Sequence, residues 1–121
     1  VSCYFQVADD DVWNPSNSLA RAFLGQATVL SQLVGVETGL GEIIEDECQI
    51  DTETFTAFVN ALVSAYQESN NDALRSLLKG FTSVSLVLTD RIGAEVPSLK
   101  SPYVDMWTAE REALAKSMPL G

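Results

Sequence analysis

A chain of 121 residues with 46% apolar content is long enough to bury a core of its own, which excludes wholesale disorder. Seventeen acids against seven bases leave a net charge of −10, which argues against nucleic acid or an anionic membrane surface as partner. The absence of histidine removes imidazole-based triads, zinc sites with imidazole ligands and the usual general base near neutral pH.

The opening "SCYFQVADDDVW" reads as a β-hairpin over 1–14. Cys3, Phe5 and Val7 alternate with Ser2, Tyr4 and Gln6, as a strand with one buried face requires. "ADDD" is read as the turn, and Val12 with Trp13 as the short return strand. The three aspartates lack the spacing, central glycine and terminal glutamate of a helix-flanked calcium loop, so they are read as solvated turn residues. "NPSNS" supplies a breaker, Pro15, and three candidate N-caps, Ser16, Asn17 and Ser18. The first helix is predicted over 18–34, with Leu19, Phe23, Ala27, Leu30 and Val34 on its inner face, Ala22 and Leu33 beside them, and Gly35 as terminator.

Residues 36–50 show no clear periodicity and are predicted to form a long loop, a length that often marks function. Ile43, Ile44 and Ile50 are expected to anchor it, with Cys48 as core filler. Asp51 is the predicted cap of a helix over 52–69, striped by Phe55, Phe58, Val59, Leu62 and Tyr66. Asn71 or Asp72 caps a third helix, predicted over 73–92 and ended by Gly93. Its second half carries apolar residues on several sides, as in a helix that is central to a bundle or covered by a second subunit. Ser101 and Pro102 suit the cap and first position of a fourth helix over 102–117, with Val104, Trp107, Leu114 and Met118 facing inward. The expected fold is therefore mainly α: a single domain over 1–121, with about four helices and an N-terminal hairpin.

Charge is distributed unevenly along this order. Residues 1–74 hold twelve acids and a single base, Arg21, a net of −11; residues 75–121 have a net of +1. Such a surface attracts basic peptides, amines or metal ions. Within "GLGEIIEDECQID", the run Glu42, Glu45, Asp46 and Glu47 offers oxygen ligands, but bundle di-metal sites draw on Glu-x-x-His pairs and no histidine exists. No metal or cofactor is expected. Cys48 is a poor nucleophile among carboxylates that raise a thiol pKa. Docking of a cationic peptide is the better reading, by Glu45, Asp46 and Glu47 together with aromatic contacts from Tyr4, Phe5 and Trp13 and hydrogen bonds from Gln6, Asn14 and Gln26. The opening shows no secretory pattern, and the longest apolar run, "GFTSVSLVL", is too short for a bilayer. Free thiols at Cys3 and Cys48 then point to a reducing cytoplasm.

The pairing of "SCYFQVADDDVWNPSNSLARAFLGQ" with "GLGEIIEDECQIDTETFTAFVNALV" is similar to a small actinobacterial family, mostly of unassigned function, over about the first ninety residues. "VWNPS" and "EDECQID" are its most distinctive pieces. In length, helical content and lack of histidine the chain also resembles the lysinoalanine-forming enzymes of cinnamycin-type lantibiotic biosynthesis. That resemblance implies a small helical homodimer binding a cationic, thioether-cyclised peptide. It further implies addition of a substrate lysine amine to a dehydroalanine, with the base supplied by the substrate's own hydroxylated aspartate and neither metal nor covalent intermediate. The reaction needs a neutral amine, although free lysine has a pKa near about 10.4, so no carboxylate can sit directly on the reacting nitrogen. Positioning alone can lower such a barrier by roughly 7–11 kcal/mol. The expected function is thus lantibiotic maturation by substrate preorganisation. The alternative is a non-enzymatic acidic binding protein, such as an immunity or antitoxin partner of a basic toxin.

Overall fold

The computed structural model describes residues 1–120; Gly121, the last position of the expected domain, lies outside them. Its elements in chain order are β1 (Tyr4–Val7), β2 (Asp10–Trp13), α1 (Asn17–Val34), β3 (Glu47–Gln49), α2 (Thr52–Glu68), α3 (Asp72–Ile92) and α4 (Val104–Ala115). Four helices and a small N-terminal sheet make the protein mainly α.

Helix starts follow the caps that the sequence offers. The Ser16 hydroxyl accepts from the Leu19 amide at 3.2 Å, the Asp51 carboxylate from Thr54 at 3.0 Å, and the Asn71 side chain from Leu74 at 2.9 Å. Gly35 and Gly93 end α1 and α3 in the left-handed region, at φ 71° and 82°. α4 departs from expectation. The Tyr103 amide bonds the Lys100 carbonyl at 2.9 Å, closing a turn that contains Ser101 and Pro102, and the helix begins only at Val104 without a side-chain cap.

The hairpin turn is tighter than expected. Val7 pairs with Asp10, so only Ala8 and Asp9 lie between the strands; Asp10 and Asp11 belong to β2. The larger correction concerns residues 36–50. Glu47–Gln49 forms a third strand, parallel to β1 and in register Tyr4 with Glu47, Phe5 with Cys48, Gln6 with Gln49. The sheet order is β2-β1-β3.

The inner face of this sheet closes the core. Phe5, Trp13, Phe23, Phe81 and Phe58 form a continuous aromatic chain, with Phe23 stacked on Phe81 at 4.7 Å and the other neighbours at 5.2–6.0 Å. Each fully buried ring contributes about 1.5–3 kcal/mol, so the hairpin is held by its aromatic residues rather than by its few ladder bonds. α3 is central: Leu78 and the run from Phe81 to Thr89 are buried except for half-buried Val84, mainly against α2 and α4. The broad apolar surface of α3 is thus covered within the chain and needs no second subunit.

α1 is different. Its core face is Ala20, Phe23 and Ala27, whereas Leu19 and Leu33, expected to point inward, are 47% and 55% exposed. Across the bundle, Arg75 lies over the rings of Tyr66 and Tyr103 at 5.2 and 5.5 Å and donates to the Tyr103 hydroxyl. Trp107 is buried beside them, its indole nitrogen donating to Gln67.

Candidate functional site

Because Phe5 and Cys48 point inward, their neighbours on β1 and β3 point out, and the outer face of the sheet presents Tyr4, Gln6, Glu47 and Gln49. Gln6 is the hub. Its amide nitrogen donates to Asp11 at 2.7 Å and to Glu47 at 3.3 Å, and its oxygen accepts from Gln49 at 2.9 Å. One glutamine therefore ties side chains from all three strands and orients two carboxylates toward solvent.

The acidic turn stands at the end of this face. Ile44 and Glu47 exchange two backbone hydrogen bonds, 2.9 and 3.0 Å long, across the pair Glu45 and Asp46. Both central residues have positive φ, 52° and 65°, the signature of a type I′ turn. Glycine or asparagine suits such positions better than glutamate does. The Asp46 carbonyl accepts from the Tyr4 amide at 2.8 Å, which docks the turn onto the start of β1. Ile44, expected to be an anchor, is 66% exposed because the bridge to Glu47 turns it outward; Ile50 is buried and Ile43 half-buried.

Beside the sheet a cleft of about 880 Å³ runs between the last turns of α1, the segment 37–41 and the start of α2. Glu37, Asp51, Gln32 and Gln49 are among its lining groups, and no basic side chain is. Gln49 joins the cleft to the sheet face. Asp51 has its carboxyl held below the usual range chiefly by the bond from the Thr54 amide, as its capping role requires.

Five of the nine sequence-predicted site residues therefore converge: Tyr4, Gln6, Glu45, Asp46 and Glu47. The other four do not. Phe5 has no exposed surface and Trp13 only 1%, because the aromatic core needs both. Asn14 leads into α1, its amide bonded to the Pro119 carbonyl at 2.7 Å. Gln26 lines a separate groove between α1 and α3. Sequence reasoning missed Asp11 and Gln49. Asp11 was hidden inside an assumed turn, and Gln49 becomes legible only once Cys48 is seen as the inward residue of a strand.

Neither thiol is poised for chemistry. Cys3 and Cys48 are free and fully buried. Burial, and then proximity to Asp46, raises the Cys3 pKa; burial, and then proximity to Cys3, pushes that of Cys48 up to about 12. Because the folded state favours the neutral Cys48 thiol, its contribution is fully present below the ordinary value of 9.0 and is lost as pH rises toward about 12. Denaturant midpoints should therefore fall more steeply with rising alkalinity in the wild type than in Cys48→Ala. Equal slopes would show that this thiol does not titrate with unfolding.

Among the described residues, no group of three or more His, Cys, Asp or Glu is arranged to hold a metal ion, and no helix is long and apolar enough to cross a membrane. Fold and site together define a small helical protein with a capped, acidic three-stranded sheet. The chain belongs to the family of unknown function DUF6086, which it matches over residues 1–120. No curated protein and no solved structure matches it.

Proposed function

We propose that the outer sheet face and its acidic turn form a docking surface for a cationic peptide. One observation carries this reading. Among the described residues, the two ion pairs, Lys79 with Glu110 and Arg111 with Asp90, both join α3 to α4. The carboxylates of Asp11 and Glu47 on the outer face, and of Glu45 and Asp46 in the turn at its end, have no basic partner among the described residues. Exposed Ile44 and half-buried Tyr4 add apolar contact beside them.

Docking by side chains suits this sheet better than strand addition. The outer rim of β3 is already paired with the chain's own segment, through the Gly41 amide and the bridges at Leu40 and Ile44. On the other rim, Arg91 occupies the Val12 carbonyl and Pro119 the Asn14 amide.

Each exposed charge contributes little, roughly 0.2–1 kcal/mol per pair, so affinity must come from several carboxylates and must be salt-sensitive. The double variant Glu45→Asn with Asp46→Gly tests this, because binding and stability should change in opposite senses. Removing two charges should weaken a lysine- and arginine-rich peptide about fivefold by calorimetry at low salt. A better type I′ turn should meanwhile stabilise the fold by about 1 kcal/mol. Unchanged affinity in a variant with a raised denaturant midpoint would overturn the docking reading.

The narrower form of the proposal, supported by the resemblance alone, is that the docked peptide is a lantibiotic precursor whose lysine adds to a dehydroalanine. These carboxylates would hold the peptide's other cationic groups, leaving the reacting amine free to lose its proton. Incubation with the dehydrated, hydroxylated precursor, followed by thiol trapping of unreacted dehydroalanine and mass spectrometry, tests it. Loss of the trappable group supports catalysis; binding without that loss favours the immunity-type partner.

A further inference from the structure

We propose that two copies of this chain pair through the outer face of α1, antiparallel, about a twofold axis at Gln26. The residues that α1 leaves outside recur with the spacing of a coiled-coil seam: Leu19, Ala22, Gln26, Val29 and Leu33, at intervals of three and four. Leu19, Val29 and Leu33 are 47%, 63% and 55% exposed, and Ala22 and Gln26 are exposed as well. The helix therefore has two apolar stripes. The core occupies the one at Ala20, Phe23 and Ala27, and the other is open.

The open stripe is nearly palindromic about Gln26. Run antiparallel against itself, it sets Leu19 opposite Leu33 of the second copy and the small Ala22 within one residue of Val29 of the second copy. Gln26 then meets its own equivalent, and each amide can both donate and accept. A lone polar residue in such a seam fixes its register. Antiparallel pairing also opposes the two helix dipoles and keeps the two copies of Arg21 at opposite ends; parallel pairing would bring both into like alignment.

Charge points to the same occupant. Two copies that each carry −10 repel, and they approach at least cost through a face without acids. No Asp or Glu occurs between Asp11 and Glu37, and α1 holds a single charge, Arg21. The seam continues into a groove of about 550 Å³ between α1 and α3, rimmed by Leu77, which is 74% exposed; its one acid, Glu110, is paired with Lys79 at 3.2 Å. An 18-residue helix spans about 27 Å, which by itself falls short of the roughly 800 Å² per partner of a standard interface. Contact at the Leu77 rim extends it, and the pairing belongs at the weak end, with Kd on the order of micromolar.

Sedimentation velocity of the full chain from about 1 to about 500 μM, bracketing that range, should show the apparent mass doubling. Val29→Glu, at an exposed position, should abolish the doubling while leaving the thermal melt in place. Orientation is read by single cysteines, since the native thiols are buried. Gln26→Cys should cross-link to itself within the dimer under mild oxidation. Leu19→Cys should not, because antiparallel pairing puts its two copies about 21 Å apart along the helix. A wild type that stays monomeric throughout, a doubling that survives Val29→Glu, or Leu19→Cys cross-linking as fast as Gln26→Cys would each overturn the proposal.

Discussion

Replacing Arg91 with methionine should destabilise the protein by about 3 kcal/mol, the largest effect expected from any residue near the surface. The guanidinium joins three segments. It donates to the Val12 carbonyl of β2 at 2.8 Å, to Ala115 at the end of α4 at 3.3 Å, and to Met118 in the tail at 2.7 Å. Hydrogen bonds to a charged donor contribute about 1.5–3 kcal/mol each, though not additively. The positive charge also meets the C-terminal dipole of α4. Methionine keeps the packing of the stem and removes the donors, so the loss measures the bonds. Lysine should rescue little, because an ammonium lacks the planar fork that reaches three carbonyls. Urea denaturation provides the measurement; a loss below about 1 kcal/mol would mean that water replaces the guanidinium at no cost.

Gly39→Ala should be of similar size, for a different reason. Gly39 has φ +73°, and a Cβ there would stand 2.5 Å from the Phe55 nitrogen and 3.0 Å from the Asp51 carbonyl oxygen. Those atoms form the first hydrogen bond of α2, Phe55 amide to Asp51 carbonyl at 2.9 Å, so nothing soft can yield. Left-handed backbone costs about 1–2 kcal/mol for a residue with a side chain, and overpacking adds about 1–3 kcal/mol. Relieving the clash by moving the segment would break the bond from the Asp51 amide to the Gly39 carbonyl and open the polar cleft. Gly41→Ala is the control. Its nearest contact is 3.4 Å away and its φ is ordinary, so it should lose less than about 1 kcal/mol. Equal losses at the two positions would refute the steric argument.

The helices were legible because their signals are local. Caps at Ser16, Asp51 and Asn71 and left-handed glycines at 35 and 93 place most ends of α1, α2 and α3 within a residue or so. What failed was non-local. β3 is three residues long and pairs with a strand some forty positions earlier, so no periodicity within residues 36–50 can reveal it. The two stripes of α1 lie side by side, and the sequence alone merges Leu19 and Leu33 into the buried one. The inward position of Phe5 follows from strand alternation. That of Trp13 does not, because the register between β1 and β2 shifts between Phe5 and Gln6. The acidic face inherits these gaps: Gln6 and the acids of the turn were legible, but the places of Asp11 and Gln49, which Gln6 bonds, were not.

The guarded rims of the sheet also bear on how the protein fails. An unpaired strand is a template on which other chains can grow, and a sheet of three short strands has little else to resist such growth. Here the guards are not strands but a turn-rich segment at one rim, and at the other a tail held by Arg91, one backbone bond and the buried side chain of Met118. Both can fray while the helical core stays intact. Release of residues 116–120 would expose the rim of β2, so Arg91→Met should raise amide exchange at Val12 and Asn14 before it does so in α2 and α3.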